Sequence, residues 1–344
     1  MPSEEASNSG ATPIDCRGPI QNKTLETQKG CATPWQSGSV ETTAFVPPRD
    51  RLVLDTNDAR VLALAQKLWP AAATDAGEDV IRVRIEVAGG AAPGELPERR
   101  LTWTHTPAEF RCEIPGLFAS RIDIVSASIA ATTSSGFLGG APDLAARSLL
   151  EAPVAVLLAR RGWRALHAGA VAGTRGAVVL RGGSGAGKST LVAAAHAAGL
   201  HVLGDESVLV ARDDADALAS SVRELTVRED SARLLGLLGR TTPAFTGGEE
   251  KRRVDLFAHS RPESRAARRL TTLLLGPRAP GPARLVPLSP KAFLEEFAKG
   301  EIPQEQVTDG ASSVAWAWAE AGGSRLDGTS DLAGAVVLLK SLVD

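Results

Sequence analysis

Apolar and charged residues alternate along residues 80–87 (VIRVRIEV) after the first pair, the period of a strand with one face buried and one in water. Upstream the period changes. Val61, Leu64, Ala65 and Leu68 recur at helical spacing, Thr56, Asn57 and Asp58 offer capping side chains before them, and Pro70 closes the run. Residues 89–97 are rich in turn formers, and 100–103, 109–114 and 122–126 predict further short strands. Residues 45–127 therefore predict a small α+β domain with no catalytic constellation. Its His105 is isolated and fits a surface or core histidine. Residues 1–44 carry many Ser, Thr, Gly, Glu, Asn and Gln and few large apolar side chains. Such a stretch cannot offset its chain entropy, so a disordered tail is expected.

From residue 128 the pattern predicts a connection, then a helical stretch over 142–160 with Leu144, Leu149, Val154, Leu157 and Leu158 on its apolar side. Pro153 inside it predicts a kink or two shorter helices. Residues 165–171 are apolar apart from His167, and with 177–180 (AVVL) they predict a hairpin turning at 173–176 (GTRG). A helix is expected over 189–198, stopped by Gly199. An apolar run over 200–210 follows, interrupted only by Asp205 and Glu206. Arg223, Arg228 and Glu229 surround a helix-like run in 220–240, and 241–250 predicts a mobile Gly/Thr/Glu loop. A strand is expected over 270–275 and helices over 290–299 and 331–342; Trp316 and Trp318 fit packing in a core or a lid.

The densest chemistry lies between the 177–180 strand and the 189–198 helix. Gly182, Gly183, Ser184, Gly185, Ala186, Gly187, Lys188 and Ser189 fit G-x-x-x-x-G-K-[ST], the loop that cradles phosphates. The glycines permit backbone angles closed to other residues and let amides approach phosphate oxygens. The following helix N-terminus favours an anion. Lys188 is the candidate for the terminal phosphates and Ser189 for Mg²⁺, with Thr190 completing the nucleotide-binding set. A chance Gly-rich turn is the alternative, and the strand–loop–helix context argues against it. Asp205 and Glu206 interrupt an apolar run directly after this helix, where acids hold Mg²⁺ or position a nucleophile. His167, beside the strand feeding the loop, fits either a core histidine or an acid–base residue. The basic triplet Lys251, Arg252 and Arg253 fits either a solvated face or a group closing over transferred phosphate.

Composition narrows the classes. The chain has 344 residues and a formal net charge of −2, so nothing draws it globally to nucleic acid or to an acidic membrane surface. No apolar run is long enough for a bilayer, and the N-terminus lacks a secretory pattern. Cys16, Cys31 and Cys112 are sparse, odd in number and without metal-ligand spacing. They fit idle thiols in a reducing compartment, and a cytoplasmic location is expected, although a leader-like or partner-binding tail is the alternative for 1–44. The absence of Tyr beside many Ala, Gly and Arg is the composition of a GC-rich bacterial genome.

Leu166-His167-Ala168, the 183–189 loop and Gly204-Asp205-Glu206 stand in the order of the HPr serine kinase/phosphorylase family, which the chain resembles over roughly residues 145–344. His167 precedes Lys188 by 21 positions and Asp205 follows it by 17, separations that agree with that family. The likeness is greatest to the HPr kinase-related proteins of bacterial peptide-modification clusters. It implies an α/β fold: a P-loop kinase domain over 128–344 whose mixed sheet resembles the nucleotide domain of phosphoenolpyruvate carboxykinase, beside the smaller 45–127 domain. It also implies Mg²⁺ and ATP, a peptide or protein serine as acceptor, and self-association, since HPr kinases assemble as hexamers. Ser189 and Asp205 would hold Mg²⁺, Glu206 would take the acceptor proton, His167 would orient the acids, and Arg252 or Arg253 would neutralise transferring charge; the two acid roles are exchangeable. The family's paired aspartates are Asp205-Glu206 here, and its phosphorolysis segment has no counterpart, so neither phosphorylase activity nor HPr as substrate is expected. The rival readings are an ATP-binding regulatory module, a kinase of a small-molecule alcohol, and a transporter-type ATPase. The last is disfavoured by the missing L-S-G-G-Q-like signature and by acids so soon after Lys188.

Overall fold

A computed structural model describes residues 42–46, 50–69, 80–90, 102–219, 224–246, 249–255, 266–277, 279–300, 305 and 310–344. The fold is mixed α/β, built on two large sheets and one small one. The expected tail over 1–44, with Cys16 and Cys31, lies outside the described residues except for its last positions. Those begin the first strand.

The first sheet comprises β1 (Thr42–Val46), β2 (Asp50–Thr56), β3 (Val80–Ala88), β4 (Thr102–His105), β5 (Glu109–Ile114), β6 (Phe118–Asp123) and β7 (Ser128–Ser134), in the order β1-β2-β3-β7-β6-β5-β4. The β2–β3 and β3–β7 pairs are parallel and the others antiparallel. Helix α1 (Ala59–Leu68) makes the crossover from β2 to β3, and the Asp58 carboxylate accepts from Arg60 N at 2.8 Å to cap it. In β3, Ile81, Val83 and Ile85 are buried while Arg82, Arg84 and Glu86 face water, as the alternation predicts. His105 is exposed and stacks on Phe110.

Residues 128–134, expected as a connection, form β7 in the interior of this sheet, and the strand expected over 122–126 ends at Asp123. Short side chains hid β7: Ser, Ala and Thr give little hydrophobic contrast along SIAATTS. The helical stretch follows as α2 (Ser135–Gly140), α3 (Pro142–Ala146), a π turn (Arg147–Glu151) and α4 (Ala152–Arg160). Pro153 stands in the first turn of α4, where its missing N–H costs least. One apolar cluster joins Leu54, Ile81, Ile85 and Ile129 of the sheet to Leu149, Val154 and Leu157 of these helices. This cluster draws on residues from both sides of 127/128.

The second sheet comprises β8 (Trp163–Leu166), β9 (Gly169–Ala172), β10 (Ala177–Arg181), β11 (His201–Gly204), β12 (Val208–Ala211), β13 (Ala217–Ala219), β17 (Ala266–Leu275), β18 (Arg284–Leu288) and β19 (Gly323–Asp327). It is mixed: β10–β17 and β17–β19 are parallel, while β9–β10, β9–β11, β8–β12 and β12–β13 are antiparallel. Helix α5 (Lys188–Ala197) follows β10. Its Leu191, Val192 and Ala195 pack with Val178, Leu180, Leu273 and, from α9 (Leu332–Val343), Ala335, Leu339 and Val343. The opposite face of β10 packs through Val179 with Phe293 and Phe297 of α7 (Pro290–Ala298) and Val314 and Trp318 of α8 (Gly310–Glu320). A strand covered on both faces has no reason to alternate, which is why AVVL is an unbroken apolar run. Trp318 is fully buried and its indole donates to Ala215 O at 2.9 Å, whereas Trp316 is exposed.

The third sheet, β14-β16-β15, comprises β14 (Glu224–Arg228), β15 (Thr241–Thr246) and β16 (Glu249–Asp255), with α6 (Glu229–Leu234) between β14 and β15. The expected loop over 241–250 is thus a hairpin. The helix-like run in 220–240 is β14 followed by α6, while Arg223 lies outside the described residues. Among the described residues no helix is long and apolar enough to cross a membrane.

Candidate active site

The chain runs down β8 and β9, and back up β11 and β12, so that the two stretches lie antiparallel and both break at the same level. Leu166 pairs with Val208 on one side of the break and Ala170 with Gly204 on the other. His167 stands in one break, Asp205 and Glu206 in the other. The expected hairpin of 165–171 with 177–180 is β9–β10, but His167 sits at its mouth rather than within a strand. Gly204 is held tightly here: a Cβ would meet Ser207 O at 2.5 Å and Val208 Cγ2 at 2.6 Å. Gly204→Ala should cost roughly 1–3 kcal/mol, because backbone must move to admit the methyl group, and a thermal melt checks it.

Beside this break, β10 feeds the 182–189 loop. Gly185 (φ 78°) and Gly187 (φ 98°) are left-handed, and Gly187 is the N-cap of α5. Ser184 and Gly185 are exposed, Gly183, Ala186, Ser189 and Thr190 are half-buried, and Gly182 is buried. Lys188 is 7 % exposed; its Nζ folds back and donates to Gly182 O at 2.7 Å and to Gly183 O at 3.4 Å. Burial lowers its pKa, with the Asp205 charge opposing. Thr190 Oγ1 shares a hydrogen bond with Ser231 Oγ at 2.8 Å, which ties α5 to α6.

The two acids differ sharply. Asp205 is buried; its Oδ2 accepts from Thr226 N at 3.3 Å, and its Oδ1 has no partner. Burial, then the neighbouring Glu206 charge, pushes its pKa up to about 7, against the nearby Ser189 hydroxyl. Glu206 adopts φ 71°, a left-handed backbone uncommon outside glycine. Its carboxylate pairs with Arg147, with Lys251 Nζ at 3.2 Å and with Thr226 Oγ1 at 3.2 Å. Burial favours its neutral form, but Arg147 and Lys251 outweigh that and hold its pKa below the usual carboxylate range. His167 Nδ1 lies 3.0 Å from Glu206 O; a carbonyl only accepts, so Nδ1 carries the hydrogen. Burial, then Lys188, lowers the imidazole pKa, which keeps the ring neutral near pH 7.

The basic triplet divides by strand periodicity. Lys251 and Arg253 point one way from β16, to Glu206 and Asp143, while Arg252 pairs with Glu229 at 3.1 Å on the other. Of the triplet it is Lys251 that pairs with Glu206, joined by Arg147 from the π turn, while Arg252 and Arg253 pair with Glu229 and Asp143. Sequence reasoning gave Lys251 no separate role and missed Arg147 and Thr226.

It also missed the support beneath the loop. Arg181, the last residue of β10, is fully buried and makes a two-pronged ion pair with Glu305 at 2.8 and 2.9 Å. Its Nε donates to Phe297 O at 2.9 Å, and its guanidinium stacks 3.9 Å from the Phe297 ring. Glu305 also accepts from the His167 backbone N–H. Cys112, the cysteine within the described residues, is buried far from this cluster in sequence and fold, and burial pushes its thiol up to about 12. It should resist alkylation at pH 8 in the native protein and react only on unfolding, which peptide mapping reads directly.

No family model matches the chain, and no curated protein matches it.

Proposed function

We propose that the chain is a Mg²⁺-ATP-dependent phosphotransferase of HPr kinase-like, P-loop type that phosphorylates a hydroxyl acceptor, a peptide or protein serine being the acceptor class to test first. The observation that carries this reading is the meeting of the 182–189 loop with Asp205 and Glu206 at the break of the neighbouring strands. Two acids beside a phosphate loop serve transfer, and simple nucleotide binding has no need of both.

The residues present suit a magnesium ion. Asp205 has a buried oxygen, Oδ1, without a partner, its carboxyl group lies near the Ser189 hydroxyl, and Mg²⁺ takes one or two protein oxygens with phosphates and water completing its shell. Among the described residues no three His, Cys, Asp or Glu side chains cluster as a metal site. The ion would supply charge neutralisation for the β- and γ-phosphates.

The loop amides and Lys188 bind those phosphates. Glu206, held ionised, is the group that takes the acceptor proton. The acceptor oxygen bonds to the γ-phosphorus, the bond from that phosphorus to the bridging oxygen breaks, and ADP leaves with the electron pair. His167 holds the Glu206 carbonyl and so positions the acid pair without touching the reacting atoms. Glu206→Gln should lower transfer at least about 100-fold while ATP still binds. Phosphate transfer and isothermal titration on the same variant test this, and retained turnover would remove Glu206 from the role.

A further inference from the structure

Two cations at this site have so far one task, holding Glu206 ionised. Arg147 opens the π turn between α3 and α4, and Lys251 lies on β16 of the small sheet; they are far apart in sequence and come from different elements. Both end on the same carboxylate, Glu206, one residue from Asp205. Three features set this cluster apart from an ordinary surface pair.

The first is cost. Glu206 occupies a left-handed backbone conformation, which a non-glycine residue sustains only where its surroundings impose it. The second is the π turn at Arg147, a helix irregularity found often at functional sites. The third is access. The Arg147 side chain is 38 % exposed and that of Lys251 20 %, so both can be reached by a ligand, whereas Arg253 is 14 % exposed and bound to Asp143, and Arg252, 27 % exposed, is bound to Glu229. Lys251 also acts electrostatically on Asp205, which in turn lies against Ser189 of the phosphate loop.

We propose that Arg147 and Lys251 are the cations that neutralise the phosphoryl group during transfer, held beside the phosphate loop by Glu206. This rests on the phosphotransferase reading. It assigns the charge-neutralising task to a residue of the π turn and one of β16, and takes it from Arg252 and Arg253. A phosphoryl group in flight spreads negative charge over three equatorial oxygens, and fixed cations aimed there stabilise it more than they stabilise ATP itself. Arg147 offers a planar fork and Lys251 a point charge, a pair able to meet that group from two sides.

The test uses the full chain and two probes, Mg²⁺-ADP and Mg²⁺-ADP with aluminium fluoride, which mimics the planar phosphoryl group. Lys251→Ala and Arg147→Ala should each weaken aluminium fluoride trapping about 100-fold and leave Mg²⁺-ADP affinity within about threefold. Arg252→Ala should change neither. Should Arg147→Ala fail to fold, Arg147→Gln keeps the stem and removes the charge. Trapping unchanged in the Lys251 and Arg147 variants, with wild type trapping normally, would overturn this assignment alone. Wild type that binds neither probe would overturn the phosphotransferase reading and this assignment with it.

Discussion

Lys188→Ala should lower ADP formation from Mg²⁺-ATP by about 100-fold or more, with little loss of stability. The reason lies in what Lys188 touches. Its Nζ is bonded to two loop carbonyls, Gly182 O and Gly183 O, and to no charged partner among the described residues, and it belongs to no apolar cluster. Burial has already lowered its pKa, so the charge is held at a cost that a bound anion would repay. A coupled assay for ADP, run beside a thermal melt of the same variant, separates the two effects. A variant that melts like wild type and has lost turnover fits the account; one that turns over normally does not.

The largest stability effect is expected one layer below the loop. Glu305→Ala should destabilise the protein by about 3–5 kcal/mol, because it strands the Arg181 guanidinium where its side chain is 0 % exposed. Phe297 O and His167 O remain as acceptors, but neither carries a charge. For a protein of this size the melting temperature should fall by roughly 10 °C. Glu305 also accepts from His167 N, so the same change should loosen the histidine that holds Glu206. Arg181→Met should cost less than Glu305→Ala, since it leaves an acid that can take up a proton in place of a cation that cannot lose one. Equal losses from both substitutions would contradict this reading of the pair.

The sequence disclosed what local pattern can disclose. The β3 strand was legible because only one of its faces meets a core, which forces a period of two. The 182–189 loop and the Asp205-Glu206 pair were legible because their chemistry lies in consecutive residues. Other features depend on pairings that no window contains. The break that places His167 opposite Glu206 exists because the pairing of two stretches, 163–172 and 201–211, is interrupted between Leu166–Val208 and Ala170–Gly204. Each run shows its own interruption, His167 in one and Asp205-Glu206 in the other, but neither says that the two interruptions face each other. Residues 241–250 looked like a loop because the hairpin they belong to pairs through its backbone and carries few large apolar residues. Arg147, Lys251 and Glu305 reach the site across 59, 45 and 138 positions respectively, and an isolated Arg, Lys or Glu looks the same whether it faces water or an active site.

The central claim is that this chain moves phosphate from ATP to a hydroxyl group through Lys188 and the acid pair. Its most direct test is transfer of γ-labelled phosphate from Mg²⁺-ATP by wild type and Lys188→Ala, against serine-containing peptides encoded near the gene and then against a set of small alcohols. The account predicts label on an acceptor hydroxyl with wild type and none with Lys188→Ala. ATP bound tightly by wild type with no label on any acceptor, and no release of ADP, would contradict it.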